Sequence, residues 1–304
     1  MTMTIREFAD ELINTLKTTF PDLFEHASFA VQTVPKPGNL LLTGITVNFH
    51  GSNIAPCYYI DEQYNKCLEG TPLSIVASDL AETIRQTSDF QPNIDITAIQ
   101  DFASAKDHIF PRLIDARPGK NDDYLAKRVS TAIPGTDISV IYEIALSDEE
   151  VPRMTVTVTD ELAEMWNIPL EELHAIAVQN AVKQRPLYFT DMNGLLSSFA
   201  PEDFPEFEVE SMLYVLTNKQ KIHGASVILY PEAAKMLHDH FPNGFHVLPS
   251  SIHELIIVPK ALSDNPEELK MMVMAINASE VMPADQLSDS VYTLDANGNL
   301  TVVL

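Results

Sequence analysis

Positive charge is scarce in this chain: 19 Lys and Arg stand against 43 Asp and Glu, a net charge of −24 at pH 7. Such an excess repels nucleic-acid phosphate and anionic lipid, so direct nucleic-acid binding is not expected unless a basic patch overrides it. The densest basic stretch, 120–128, is diluted by Asp122 and Asp123. Glycine is also sparse, at ten residues, and no Gly-x-Gly-x-x-Gly, Gly-x-x-x-x-Gly-Lys or Gly-x-Ser-x-Gly occurs. Phosphate-cradling loops and the nucleophile elbow are thereby excluded. The two cysteines, Cys57 and Cys67, are too few for a cysteine zinc site, and there is no Cys-x-x-Cys or His-Glu-x-x-His. Free thiols in a reducing compartment are expected. No apolar run reaches the roughly 18 residues a membrane span needs. The chain does not open on a basic stretch followed by an apolar one. A cytoplasmic protein with no membrane partner is the expectation.

What is present suits a globular chain. Of 304 residues, 45% are hydrophobic and 20% charged, enough for a sizeable core. Ile5, Phe8, Leu12 and Leu16 recur at helical spacing until Pro21. Alternating runs at 28–34 and 40–49 read as a hairpin around 35–38. Helices are expected over 61–69, ended by Gly70, and from Thr71-Pro72 to about 87. Another is expected within 92–116, interrupted or ended near Pro111, with Ile99, Phe102, Ile109 and Leu113 on its apolar face. Strands follow at 138–146 and 154–158, joined by the acidic 148–150. A short helix at 160–166 and a longer one from Pro169 come next, the latter presenting Leu173, Ala177 and Ala181. An acidic, proline-broken surface loop spans 200–210. Strands at 212–216, 245–248 and 255–258 surround a helix at 231–241, while 225–229 reads as strand or helix entry. Asn265-Pro266-Glu267-Glu268 starts a helix, and Asn297-Gly298 turns a final hairpin.

Strand pairs joined by short turns, with helices between the pairs, predict an α+β fold with mixed, largely antiparallel sheets. The polar stretch 119–123 suggests two α+β domains, 1–118 and 119–304, or one domain spanning both.

No constellation reads as catalytic. His238 and His240, beside Asp239 and near His246, are two apart on a helical stretch and do not share a face, so no metal site is expected. Segment 248–255 is more informative. It sets Ser250, Ser251, His253 and Glu254 between two apolar strands. Those residue types suit hydroxyl activation, but neighbouring strand residues point to opposite faces, and serines after proline are ordinary turn formers. Thr217-Asn218 ends a strand, and Gly224 would allow close backbone approach. Thr217, Asn218, Gly224, Ser250, Ser251, His253 and Glu254 therefore form a candidate surface for binding a protein or small molecule. No catalytic residue, cofactor or metal is assigned. A non-enzymatic binding or regulatory protein is the leading expectation. The alternatives are a hydrolase using serine with His253 and an acidic mimic of nucleic acid that occupies a basic protein.

Four motifs carry a family resemblance. They are Pro56-x-Tyr58-Tyr59-Ile60 with Tyr64 and Gly70; Trp166-Asn-Ile-x-x-Glu171-Glu-Leu-His-x-x-Ala177-x-x-Asn180; Leu216-Thr-Asn218-Lys-x-x-x-x-Gly224-Ala225; and Leu248-Pro-Ser-Ser-Ile-His-Glu254. Together they resemble a bacterial family, domain of unknown function 5688, from about residue 5 to 300. Fragments are distantly similar to a second uncharacterised family, UPF0354. The resemblance implies a bacterial cytoplasmic protein. It implies no activity and brings no catalytic residues.

Overall fold

The computed structural model describes residues 3–50, 55–88, 96–146, 155–197 and 213–304. The chain forms two compact units, 1–36 with 40–96, and 37–39 with 97–304. The polar stretch 119–123 lies inside the second unit. The expected acidic segments 148–150 and 200–210 fall outside the described residues.

In the first unit, helix α1 (Ile5–Thr19) starts on a capping box: Thr4 Oγ1 accepts from the Glu7 amide, and the Glu7 carboxylate accepts from the Thr4 amide. After α2 (Pro21–Phe24), strands β1 (Ala27–Lys36) and β2 (Leu40–Phe49) form a hairpin, and β3 (Cys57–Tyr59) pairs with β2. β1 runs through Pro35, two residues further than expected. Proline is tolerated because β1 is an edge strand. Helices α3 (Asp61–Leu68) and α4 (Leu73–Ser88) complete the unit. Phe8, Leu12 and Leu16 meet Ile45, Val47, Val76, Leu80 and Ile84 in its core.

The second unit opens with two short helices, α5 (Ile96–Gln100) and α6 (Phe102–Ala105). The helix face expected to take in Ile109 and Leu113 is instead strand β4 (Ile109–Asp115), buried at six of its seven positions. The spacing of four matches a helix, but the run pairs along its length with 138–144, and Pro111 is accommodated because β4 is an edge strand. After α7 (Asp122–Leu125) come β5 (Ser130–Ala132), β6 (Ile138–Ala145) and β7 (Thr155–Thr157). β6 pairs with β4 on one side and with β5 and β7 on the other, all antiparallel. Helices α8 (Asp160–Trp166) and α9 (Leu170–Gln184) follow. Trp166 is buried, donating from Nε1 to the Ile99 carbonyl and tilting against Phe102. Asn180 Nδ2 ties α9 to the entry of β4 through the carbonyls of Lys106 and Ile109.

The remaining strands are β8 (Leu187–Asp191), β9 (Tyr214–Asn218), β10 (Phe245–Leu248), β11 (Leu255–Pro259), β12 (Tyr292–Leu294) and β13 (Leu300–Val302). They form an antiparallel sheet in the order β13-β12-β10-β11-β9-β8. Helices α10 (Met192–Ser197), α11 (Pro231–His240) and α12 (Pro266–Ser279) are interspersed, and 225–229 belongs to a 3₁₀ segment (Gly224–Leu229). The fold is α+β, with antiparallel pairing in all three sheets.

Candidate functional site

Three chain segments converge at the end of the β9–β11 pair inside the large sheet. Thr217 and Asn218 end β9. The 249–254 turn joins β10 to β11. Residues 285–288 lie against that turn: the Ile252 amide donates to the Asp285 carbonyl, and the Leu287 amide to that of Ser250. Asn218, fully buried, closes the 218–222 turn by donating from Nδ2 to the Ile222 carbonyl and accepting the Ile222 amide at Oδ1. Gly224 is packed so closely that a Cβ would overlap Thr217 Oγ1 and the His253 carbonyl, and would come within 2.9 Å of the Asn218 nitrogen. Glycine is required here for space rather than for a left-handed backbone.

His253 is bonded from several sides. Its carbonyl accepts from Thr217 Oγ1 at 2.7 Å, and its amide donates to Ser251 Oγ at 3.0 Å. Its ring Nδ1 accepts the main-chain amide of His223 at 3.3 Å. Because an amide N–H can only donate, Nδ1 carries no proton in this arrangement, and neutral His253 is the Nε2–H tautomer. That Nε2 lies 3.7 Å from Asp285 Oδ1. The His223 ring stacks on His253, centroids 5.6 Å apart and planes at 29°.

A buried charge network continues from His223. Its Nδ1 is 3.1 Å from Glu143 Oε2, and Glu143 Oε1 accepts from Arg112 Nη1 at 2.9 Å. The sheet register explains the second contact. Arg112 on β4 faces Ile141 on β6, so Glu143, two residues along, is its diagonal neighbour on the same face. Glu143 is only 4% exposed. Burial alone would raise its carboxyl, but the His223 hydrogen bond and charge, together with Arg112, hold it at about 2 against an ordinary 4.5. The ionised carboxylate only accepts, so His223 carries its proton on Nδ1. Burial, with the nearby charges of His223 and Arg112, lowers the His253 pKa, while Asp285 and Glu254 act in the opposite direction.

Above this network lies a groove of about 550 Å³ lined by Val215, Thr217, Lys221, Ser251, His253, Glu254, Glu280, Val281, Met282 and Asp285. Of the seven residues singled out in the sequence, Thr217, Ser251, His253 and Glu254 line it. Asn218, Gly224 and Ser250 lie beneath as buried supports. Arg112, Glu143, Glu280 and Asp285 were not anticipated. A lone acid within the apolar run Ile138–Ala145 was the available signal for Glu143.

The other histidines do not assemble. His238 Nε2 is 3.0 Å from the Leu294 carbonyl, His240 packs on Phe189 and Phe241, and buried His246 meets Asp264. Among the described residues, no group of three or more His, Cys, Asp or Glu is placed to hold a metal. No helix there is long and apolar enough to cross a membrane.

The model of a family of unknown function, DUF5688, matches residues 5–296. The chain belongs to the DUF5688 family. All four quoted motifs fall within the matched range, so the groove and its supports are part of the family's domain. No curated protein and no solved structure matches the chain.

Proposed function

We propose that this DUF5688 protein is a non-enzymatic binding protein of the bacterial cytoplasm that holds part of a protein partner or a small ligand in the groove beside His253. The observation that carries the reading is how the polar groups around the groove are used. Ser251 Oγ accepts the His253 amide, and His253 Nδ1 is occupied by the His223 amide. The imidazole therefore presents Nε2–H, a donor, where a hydrolase would need an unprotonated base beside its hydroxyl. Two intermediate-exposure cysteines with free thiols, and the −24 charge, accord with a soluble chain in a reducing compartment.

The groove lining also favours a class of ligand. Glu254, Glu280 and Asp285 face one lysine, Lys221, while Val215, Val281 and Met282 supply apolar wall. A positively charged group on an apolar stem satisfies both surfaces, through carboxylate contacts and through burial worth about 25 cal/mol per Å². Methionine adapts to varied shapes, which suits a peptide segment.

The test is native mass spectrometry of the protein taken from its own host, followed by hydrogen-exchange footprinting of whatever remains bound. Protection of 215–221, 251–254 and 280–285, weakened by Glu254→Gln with Asp285→Asn and by Met282→Ser, is the expected result. A bound partner or ligand that protects other segments and is indifferent to those substitutions overturns the groove as the binding site.

A further inference from the structure

We infer that the contact between the His223 amide and His253 Nδ1 is a proton-operated latch on the wall of the groove. As regulation of the site, this rests on the binding reading given above. The latch itself follows from hydrogen-bond geometry.

Neutral His253 has one nitrogen lone pair. It is spent on the His223 amide, 3.3 Å away. The other nitrogen already carries the ring proton, so an incoming proton must add to Nδ1. It then places an N–H opposite an N–H, and the bond cannot survive. The ties made by the His253 main chain, its amide to Ser251 and its carbonyl to Thr217, are unaffected, and the Nε2 side still faces Asp285. Protonation thus cuts one specific link, between the 249–254 turn and the 219–223 loop.

That loop is held under backbone strain. Lys221 and His223 both adopt left-handed conformations, at φ 55° and 49°. For side chains other than glycine this conformation is strained, and it persists only where surrounding contacts impose it. Asn218 still holds Ile222 through its side chain and Lys221 through its carbonyl, so release falls on the main chain at His223.

The charges facing His253 come from several elements. Arg112 on β4 and His223 oppose its protonation, while Asp285 and its neighbour Glu254 favour it. Glu143 on β6 reaches it through His223. Lys221 and Glu280 complete the charged lining of the groove. Burial opposes it most, so the switch operates on the acid side of the ordinary histidine range. Acidification then weakens a cationic ligand by placing a positive charge on the groove wall.

The experiment is a histidine ring-nitrogen NMR titration of the whole ligand-free protein, with amide exchange measured in parallel and corrected for intrinsic pH dependence. His253 is expected as the Nε2–H tautomer at pH 8. As it becomes an imidazolium, the His223 amide should lose about tenfold in protection, the equivalent of one hydrogen bond. Amides of β6 should be unchanged over the same step. An Nδ1–H tautomer at pH 8, or unchanged His223 protection through the His253 titration, overturns the latch. Because no ligand is present, either result stands independently of whether the groove binds one.

Discussion

Gly224 and Thr217 are packed so that no side chain fits between them: a Cβ on Gly224 would occupy the space of Thr217 Oγ1, whose hydrogen bond to the His253 carbonyl holds β9 against the 249–254 turn. Both obstacles are fixed, one by its hydrogen bond and the other by belonging to the main chain, so neither can yield by a simple rotamer change. Gly224→Ala should therefore cost about 3 kcal/mol, the upper end of ordinary overpacking. Urea denaturation measures it directly. A variant as stable as the parent would mean that the two segments are not in this contact.

Glu143 should dominate the acid limb of the stability curve. Its folded carboxyl is held at about 2, below its ordinary 4.5. A depressed carboxylate stabilises fully above its unfolded value, and that contribution is lost as the pH falls from 4.5 towards 2. At about 1.4 kcal/mol per pH unit, the interval is worth roughly 3 kcal/mol. Glu143→Gln should destabilise by about 3–5 kcal/mol at neutral pH, since Arg112 loses its buried partner. It should also flatten the decline in thermal midpoint between pH 4.5 and 2. Parallel curves for parent and variant would show that Glu143 is not the group responsible.

The ease with which this molecule can be read from its sequence follows the range of the interactions concerned. Helix α1 is legible because its apolar period and its stop at Pro21 lie within one segment. The Asn297-Gly298 hairpin is equally local. β4 was misread because Ile109 and Leu113 are four apart by chance; what makes 109–115 a strand is its pairing with β6, about thirty residues away. The groove was half legible. Ser251, His253 and Glu254 announce themselves by being polar between apolar strands. Asp285 and Arg112 do not, since their relation to His253 exists only after three segments meet. No spacing rule joins positions 112, 143, 223 and 253.

A second, partly buried charge cluster gives a prediction of opposite sign. Arg117 bonds Asp115 through Nε and Nη2, bonds Asp289 through Nη1, and stands 3.9 Å from Asp137 Oδ2. Asp115 is 3% exposed. Burial raises the Asp137 carboxyl, while Ser288 and Arg117 act to lower it. Removing the guanidinium leaves carboxylates facing each other without a cation. Arg117→Gln should cost about 3–5 kcal/mol at pH 7. The variant should then recover part of its deficit as the pH falls through the carboxylate range, where protonation relieves the repulsion. Chemical denaturation at pH 7 and pH 4.5 separates the two. A deficit that is constant between those pH values would assign Arg117 a packing role instead.

Ser251 is the residue on which binding and hydrolysis part company. Its Oγ accepts the His253 amide, two residues along, in a local turn that needs no catalytic purpose. For Ser251 to act as a nucleophile, His253 would have to offer an unprotonated nitrogen to the hydroxyl. Its unprotonated Nδ1 is taken by the His223 amide, and its Nε2 bears the proton on the side of Asp285. Reversing the tautomer would leave the His223 amide facing Nδ1–H. A serine-reactive fluorophosphonate should therefore leave both Ser250 and Ser251 unlabelled at pH 8. Ser251→Ala should cost about 1 kcal/mol, the net worth of one hydrogen bond. Stoichiometric labelling of Ser251, abolished in His253→Gln while the fold is retained, would require the opposite tautomer in solution and would turn the groove from a binding surface into an acyl-transfer site.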